Sequence, residues 1–326
     1  MLKEIALTPH VFDEASNPDS DAWLDALDAL GHGLFPRGAA PMVAANLYGG
    51  AWMGEVVNKL GSIRDHRVRD RVQRIITQLK NILVPRPLVR GWPEDERGWA
   101  EEAIASRKFE PISRVVTTNE LGREFVPEEG ECHGLASVEG DEFWQGISSA
   151  CPVSMDLDTQ VALLRPLCVH AQYLALVMPH VRGGPDDETE FVVRVVDSAF
   201  RRPVGFSSMF VELHLNADGY QRCPDNLIDT VRQSLAAGLS SSGEVRLFLW
   251  PKFTERLFIA GDVKIAPDGK QTKYPRWGVS FNHIARPKDS LPPTRWHLIP
   301  RCELGGCERQ FDPGDPRVIG SQLLTF

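Results

Sequence analysis

The chain has 326 residues, with 36 Lys and Arg against 44 Asp and Glu and a formal net charge of −8. With 42% hydrophobic and 25% charged residues it reads as a soluble globular protein, which excludes a disordered chain and a uniformly basic nucleic-acid binder. No apolar run reaches the roughly 18–20 residues of a membrane helix, the opening residues lack an apolar leader core, and six scattered cysteines form no disulfide framework, so a cytoplasmic location without a membrane partner is expected.

In chain order, residues 2–7 (LKEIAL) end at Thr8-Pro9 and suit a buried first strand. Asn17-Pro18-Asp19-Ser20-Asp21 supplies a turn and a helix cap, followed by Trp23, Leu24, Leu27 and Leu30 at helical spacing. Between residues 52 and 83 apolar side chains recur at threes and fours, which predicts a long helix or a helix pair. Its polar face carries Arg64, Arg67, Arg69, Arg71 and Arg74, partly offset by Asp65 and Asp70. A helix from Asp95 to Ser106 then leads into a strand over residues 112–117.

Charge is unevenly placed. Residues 1–123 hold 16 basic and 17 acidic side chains, residues 124–164 hold nine acids and no Lys or Arg, and residues 165–326 hold 20 basic and 18 acidic. The acidic, glycine-punctuated middle reads as a boundary and predicts domains over 1–145 and 146–326.

The second half repeats the alternation. Residues 157–171 are helical in pattern, with Pro166 expected to kink or split them. Strands are expected over 172–178, 207–215 and 244–250, with helices over 190–200 and 227–238 between them. Arg256–Ala260 and Trp277–Phe281 read as a strand pair joined through an Asp268-Gly269 turn, and from Arg286 onward the chain reads as loop and short strand. Strands alternating with helices predict two three-layer α/β domains.

In the first half, Ala6–Phe12 (ALTPHVF) resembles the opening strand of PIN-domain ribonucleases, and Arg114–Phe125 (RVVTTNELGREF) resembles that family's last motif. Asp95, before an alanine-rich helix, is similar to its third acidic position. The resemblance implies a carboxylate cluster holding Mg²⁺ or Mn²⁺ for phosphodiester hydrolysis. Here, however, Thr8 and Asn119 stand where the family has acids, and Glu55 is the nearest counterpart of the middle glutamate. Asp13, Glu55 and Asp95 are the candidates for a rearranged site.

The second half, over residues 157–285, resembles a single-lobed phospholipase-D-like domain. The resemblance rests on Tyr173–Pro179 (YLALVMP), the strand VRLFLW followed by Pro251–Gly261 (PKFTERLFIAG), and Arg276–Phe281 (RWGVSF). It implies a nucleophilic histidine where this chain has Thr254, which lacks an adjacent base. Lys252 and Arg256, with Arg276 and His283, remain as candidate ligand-binding residues able to hold an anion without cleaving it.

Cys302 and Cys307 (CELGGC) are spaced like half of a zinc site in a Gly-Gly turn, but no second close cysteine pair completes a ligand set. Residues 246–301 hold eleven basic and four acidic side chains, which makes them the expected contact for DNA or RNA. The resulting expectation is a pair of degenerate nuclease folds acting without cofactor. They would bind nucleic acid or protein partners within a bacterial, defence-type multicomponent system. The alternative is an active Mg²⁺- or Mn²⁺-dependent nuclease.

Overall fold

The structure is a computed structural model and describes residues 3–34, 42–124, 132–144, 150–154, 156–202, 209–220, 222–267, 271–282, 284 and 294–326. Two α/β units make up the chain: Leu2–Ser148, and Ser149–Phe326 with Met1. Among the described residues no helix is long and apolar enough to cross a membrane.

The first unit runs β1 (Lys3–Leu7), α1 (Ser20–Leu34), β2 (Met42–Asn46), α2 (Ala51–Ser62), α3 (His66–Leu79), β3 (Leu83–Pro85), α4 (Glu96–Ala105), β4 (Arg114–Thr117), α5 (Asn119–Glu124), β5 (Cys132–Gly134) and α6 (Asp141–Trp144). Its five strands are all parallel in the order β3-β2-β1-β4-β5. Ile5, Ala6 and Leu7 are successive and all buried, so both faces of the sheet are covered. The helix pair expected over 52–83 is present, split at the Asp65 cap, whose carboxylate accepts from the Arg67 N–H at 2.7 Å. Strand β2 (MVAAN) is not signalled by the sequence, because two alanines dilute its β-propensity; pairing with β1 and β3 forms it.

The second unit runs β6 (Ala150–Val153), α7 (Leu157–His170), β7 (Tyr173–Met178), α8 (Asp187–Phe200), β8 (Phe210–Asn216), α9 (Pro224–Gly238), β9 (Glu244–Trp250), β10 (Leu257–Ile265), β11 (Gln271–Phe281), β12 (Thr294–Leu298), α10 (Arg301–Gln310) and β13 (Gly320–Thr325). Its eight strands are ordered β13-β9-β8-β7-β10-β11-β12-β6. Strands β7, β8 and β9 are parallel, and β10 pairs antiparallel with β7.

Of the kink or split expected at Pro166, the split does not occur: α7 runs through it, and buried Leu164, Leu167 and Cys168 pack the helix around it. A second expectation fails outright. The CELGGC segment is not a turn but lies inside α10; two glycines cost a helix roughly 2 kcal/mol together, and buried Leu304 and Phe311 hold it to the sheet. The Asp268-Gly269 turn and His283 lie outside the described residues.

Candidate functional site

In the first unit the strand order reverses between β1 and β4, and this switch point, beyond the carboxyl ends of the two strands, is where open parallel sheets place the crevice that holds their ligands. Thr8 follows β1 and Thr118 follows β4; both are buried. Their hydroxyls converge on Glu96, the first residue of α4. Thr8 Oγ1 donates to Glu96 Oε1 at 2.6 Å, the Thr118 N–H donates to the same oxygen at 2.7 Å, and Thr118 Oγ1 donates to Oε2 at 2.6 Å.

Asp95, the expected third acid, is not in the crevice. It is the exposed N-cap of α4 and accepts from the Gly98 N–H at 2.8 Å. A capping aspartate is committed to its helix, and the next residue is the one free to turn inward. Asp13 is buried; it accepts from Ser16 Oγ at 2.9 Å and forms an ion pair with Lys59 Nζ at 3.1 Å. Burial raises the Asp13 carboxyl, but Ser16 and Lys59 outweigh it and hold it below the usual carboxylate range. Glu55, on α2, accepts from Asn58 at 3.2 Å. Asn119 opens α5 and accepts from the Ala136 N–H at 2.7 Å.

His10, which sequence reasoning passed over, feels four of these groups. Burial lowers its pKa and Lys59 lowers it further, while Glu96, Asp13 and Glu55 push it up without prevailing. The imidazole is therefore biased toward neutrality. Lys59, Glu96 and His10 could have been reached from the sequence only through their neighbours, Glu96 by its place one residue after a cap and His10 by its place three residues after β1.

These residues do not fit the divalent cation that the PIN resemblance implies. Mg²⁺ and Mn²⁺ are held by oxygen ligands that include at least one or two carboxylates with lone pairs turned to the ion. Here both Glu96 oxygens accept from hydroxyl or amide donors, and an ammonium sits on Asp13. Among the described residues no group of three His, Cys, Asp or Glu could hold a metal.

In the second unit, residues 251–256 carry the chain from β9 past β8 to β10 on the far side of β7, and so cross the carboxyl ends of the parallel strands. Asn216, which ends β8, fastens this loop by donating from Nδ2 to the Phe253 carbonyl at 3.1 Å. A pocket of about 220 Å³ opens beside the loop, lined by aromatic Trp250, Phe253 and Phe311 and by polar Lys252, Thr254 and Arg317 among others. Lys252 is exposed and makes no ion pair among the described residues. Arg317 lies over the Trp250 ring at 5.6 Å and pairs with Asp315 at 2.9 Å. Glu255 accepts from Gln310 at 3.0 Å and from the Thr254 N–H at 3.0 Å. Thr254 thus stands in a recess with a cation nearby.

Arg256 and Arg276 face acids of the fold. Arg256 Nη2 meets Glu188 Oε1 at 2.9 Å and Nη1 donates to the Asn282 carbonyl at 3.0 Å. Arg276 lies 3.3 Å from Asp262 and 4.3 Å over the Trp277 ring. Beneath α10 a third basic residue, Lys273, pairs with buried Glu212 at 2.5 Å. His214 lies two residues along β8 from Glu212 and accepts at Nδ1 from Trp250 Nε1 at 3.1 Å. Burial raises the Glu212 carboxyl, yet His214 and Lys273 overcome it and hold it low. For His214 burial lowers the pKa and prevails over Glu212. Trp250 therefore joins this buried network to the pocket wall.

Cys302 is exposed and Cys307 half-buried on α10. Five residues on a helix turn through about 500°, which places them roughly 140° apart around the axis and unsuited to one ion. Burial, then Glu303, pushes the Cys307 thiol up, away from thiolate chemistry. No known protein family and no curated protein matches this chain.

Proposed function

We propose that this chain is a nucleic-acid-binding protein built on two nuclease-like folds, PIN-like and then phospholipase-D-like, that holds a strand without cutting it. The observation that carries the reading is the Glu96 cluster: both oxygens of the carboxylate at the switch point are engaged by Thr8 and Thr118. A hydrolytic site there would leave those oxygens for a metal and its water. The pocket beside residues 251–256 supports the binding half, because exposed Lys252 with the neighbouring Thr254 hydroxyl suits a phosphate. Assembly with protein partners in a bacterial, defence-type system belongs to this reading as its setting.

Fluorescence-anisotropy titration of the intact chain with labelled single-stranded DNA, duplex DNA and single-stranded RNA, at 50 and 200 mM salt, tests the proposal. The expected result is saturable binding that weakens with salt, and a Lys252→Glu variant several-fold weaker than wild type. No binding of any of the three at 50 mM salt defeats the reading.

A further inference from the structure

Helix α3 carries charge that neither site uses. Val72, Ile75, Ile76 and Leu79 are buried in the core and fix its rotation against α1 and α2. At about 100° and 1.5 Å per residue, Arg67 and Arg74 fall on nearly one line, about 10 Å apart, on the side facing solvent. Arg69 and Lys80 fall on a second line, about 16 Å apart, at the flank. All four are exposed, as is Arg64 just before the helix.

None of these five makes an ion pair among the described residues. Arg71, on the same helix, shows what a structural arginine looks like here. It bonds Asp28 at 2.6 Å and Asp25 at 3.2 Å. The two acids of the segment do not quench the rest. Asp65 is spent on the cap, and Asp70, between Arg67 and Arg74 on the surface, pairs with neither. Residues 64–80 hold six basic and two acidic side chains, a local net of +4 in a chain of net −8.

What surrounds the guanidinia chooses the partner. His66, Asp70, Gln73, Thr77 and Gln78 occupy the remaining exposed positions of α3, all of them polar, and no large apolar side chain of α3 is exposed. A protein interface draws its energy from buried aromatic and aliphatic anchors, which this face lacks. A phosphate backbone asks for spaced cations and hydrogen-bonding side chains, and arginine forks match phosphate oxygens two at a time. We infer that the exposed face of α3 is a second nucleic-acid contact, with Arg67 and Arg74 on backbone phosphates and Arg69 and Lys80 at its margin. This inference rests on the nucleic-acid reading above and adds a surface in the first unit to the pocket in the second.

The test is the salt dependence of binding by the intact chain, measured on the best-bound of the three labelled nucleic acids. Each phosphate contact contributes to the slope of log affinity against log salt by about 0.9 on duplex DNA and about 0.7 on a single strand. An Arg67→Glu, Arg74→Glu variant is expected to bind roughly tenfold or more weakly at 150 mM salt, with a slope shallower by about 1.8 on a duplex and about 1.4 on a single strand. Arg67→Lys, Arg74→Lys, which keeps the charge but loses the forks, should keep the wild-type salt slope and lose clearly less affinity than the glutamate variant. If wild type binds and the glutamate variant matches its affinity and slope, the α3 contact is overturned while the general reading survives. If wild type binds no nucleic acid, both fall. Anionic vesicles that compete with nucleic acid for wild type but not for the glutamate variant would overturn the assignment of partner. Unchanged far-UV circular dichroism and urea midpoint exclude misfolding as the cause of a loss.

Discussion

Residues 64–80 and residues 246–301 are both rich in cations, six against two acids in the first and eleven against four in the second. The structure employs them differently. In the second stretch Arg256, Lys273 and Arg276 meet Glu188, Glu212 and Asp262; the first two pairs tie the β10–β11 hairpin to α8 and β8 and the third joins β10 to β11, while Lys252 stays exposed and makes no ion pair among the described residues. In the first, among the described residues, only Arg71 is spent in this way, on Asp25 and Asp28. Acids that answer a cation from elsewhere in the chain are invisible to a count of local charge: Glu212 is 61 residues from Lys273, and Glu188 is 68 from Arg256. A basic stretch therefore signals a polyanion partner only to the extent that the fold leaves it unanswered.

Substitutions should separate the two kinds of cation by stability. The largest effect is expected at Lys273. Changing it to Met strands the Glu212 carboxylate against a neutral His214 and should cost about 3–5 kcal/mol in urea denaturation. The double variant Lys273→Met, Glu212→Gln should recover part of that loss. Acid titration sharpens the point. Glu212 has a folded pKa below its unfolded value, so its stabilisation is complete above the ordinary carboxylate range and is lost as pH falls through the folded value. His214 is also lowered from 6.5, so the unfolded chain takes up its proton first and stability declines as pH drops below about 6.5. Both groups weaken the second unit on the acid side, and Lys273→Met should move its acid unfolding midpoint upward.

Arg256→Met, which breaks a mostly buried pair, should cost about 1–2 kcal/mol. Arg71→Met, at a half-exposed pair, should cost about 0.5 kcal/mol. Arg67→Met and Arg74→Met should change stability by less than about 0.5 kcal/mol. A loss of 2 kcal/mol or more at Arg67 would show that α3 uses its guanidinia to hold the fold, and would erase the contrast between the two stretches.

The α/β class was legible because strands such as β7 and β9 are short apolar runs between amphipathic helices, and because turn and cap segments such as Asn17–Asp21 mark helix starts; the Asp65 cap that divides α2 from α3 was read only as part of a polar face. Strand β2 and helix α10 were not, since their local preferences are poor and their packing partners lie far along the chain. The crevice was half legible. Thr8 and Asn119 were placed at strand ends from motif alone, but Asp95 was chosen over Glu96 because sequence does not say which of two adjacent acids caps the helix and which turns inward. Lys59 reaches Asp13 across 46 residues and left no local sign.

The central claim is that this chain holds a strand and leaves it whole. The direct measurement is the length of an end-labelled strand after incubation with the intact chain at saturating concentration, in Mg²⁺ and separately in Mn²⁺. Full-length strand at every time point, under conditions where anisotropy reports it bound, is the predicted result. Shortened products that disappear with EDTA and with a Glu96→Gln variant would contradict it, and would make the Glu96 cluster a hydrolytic site.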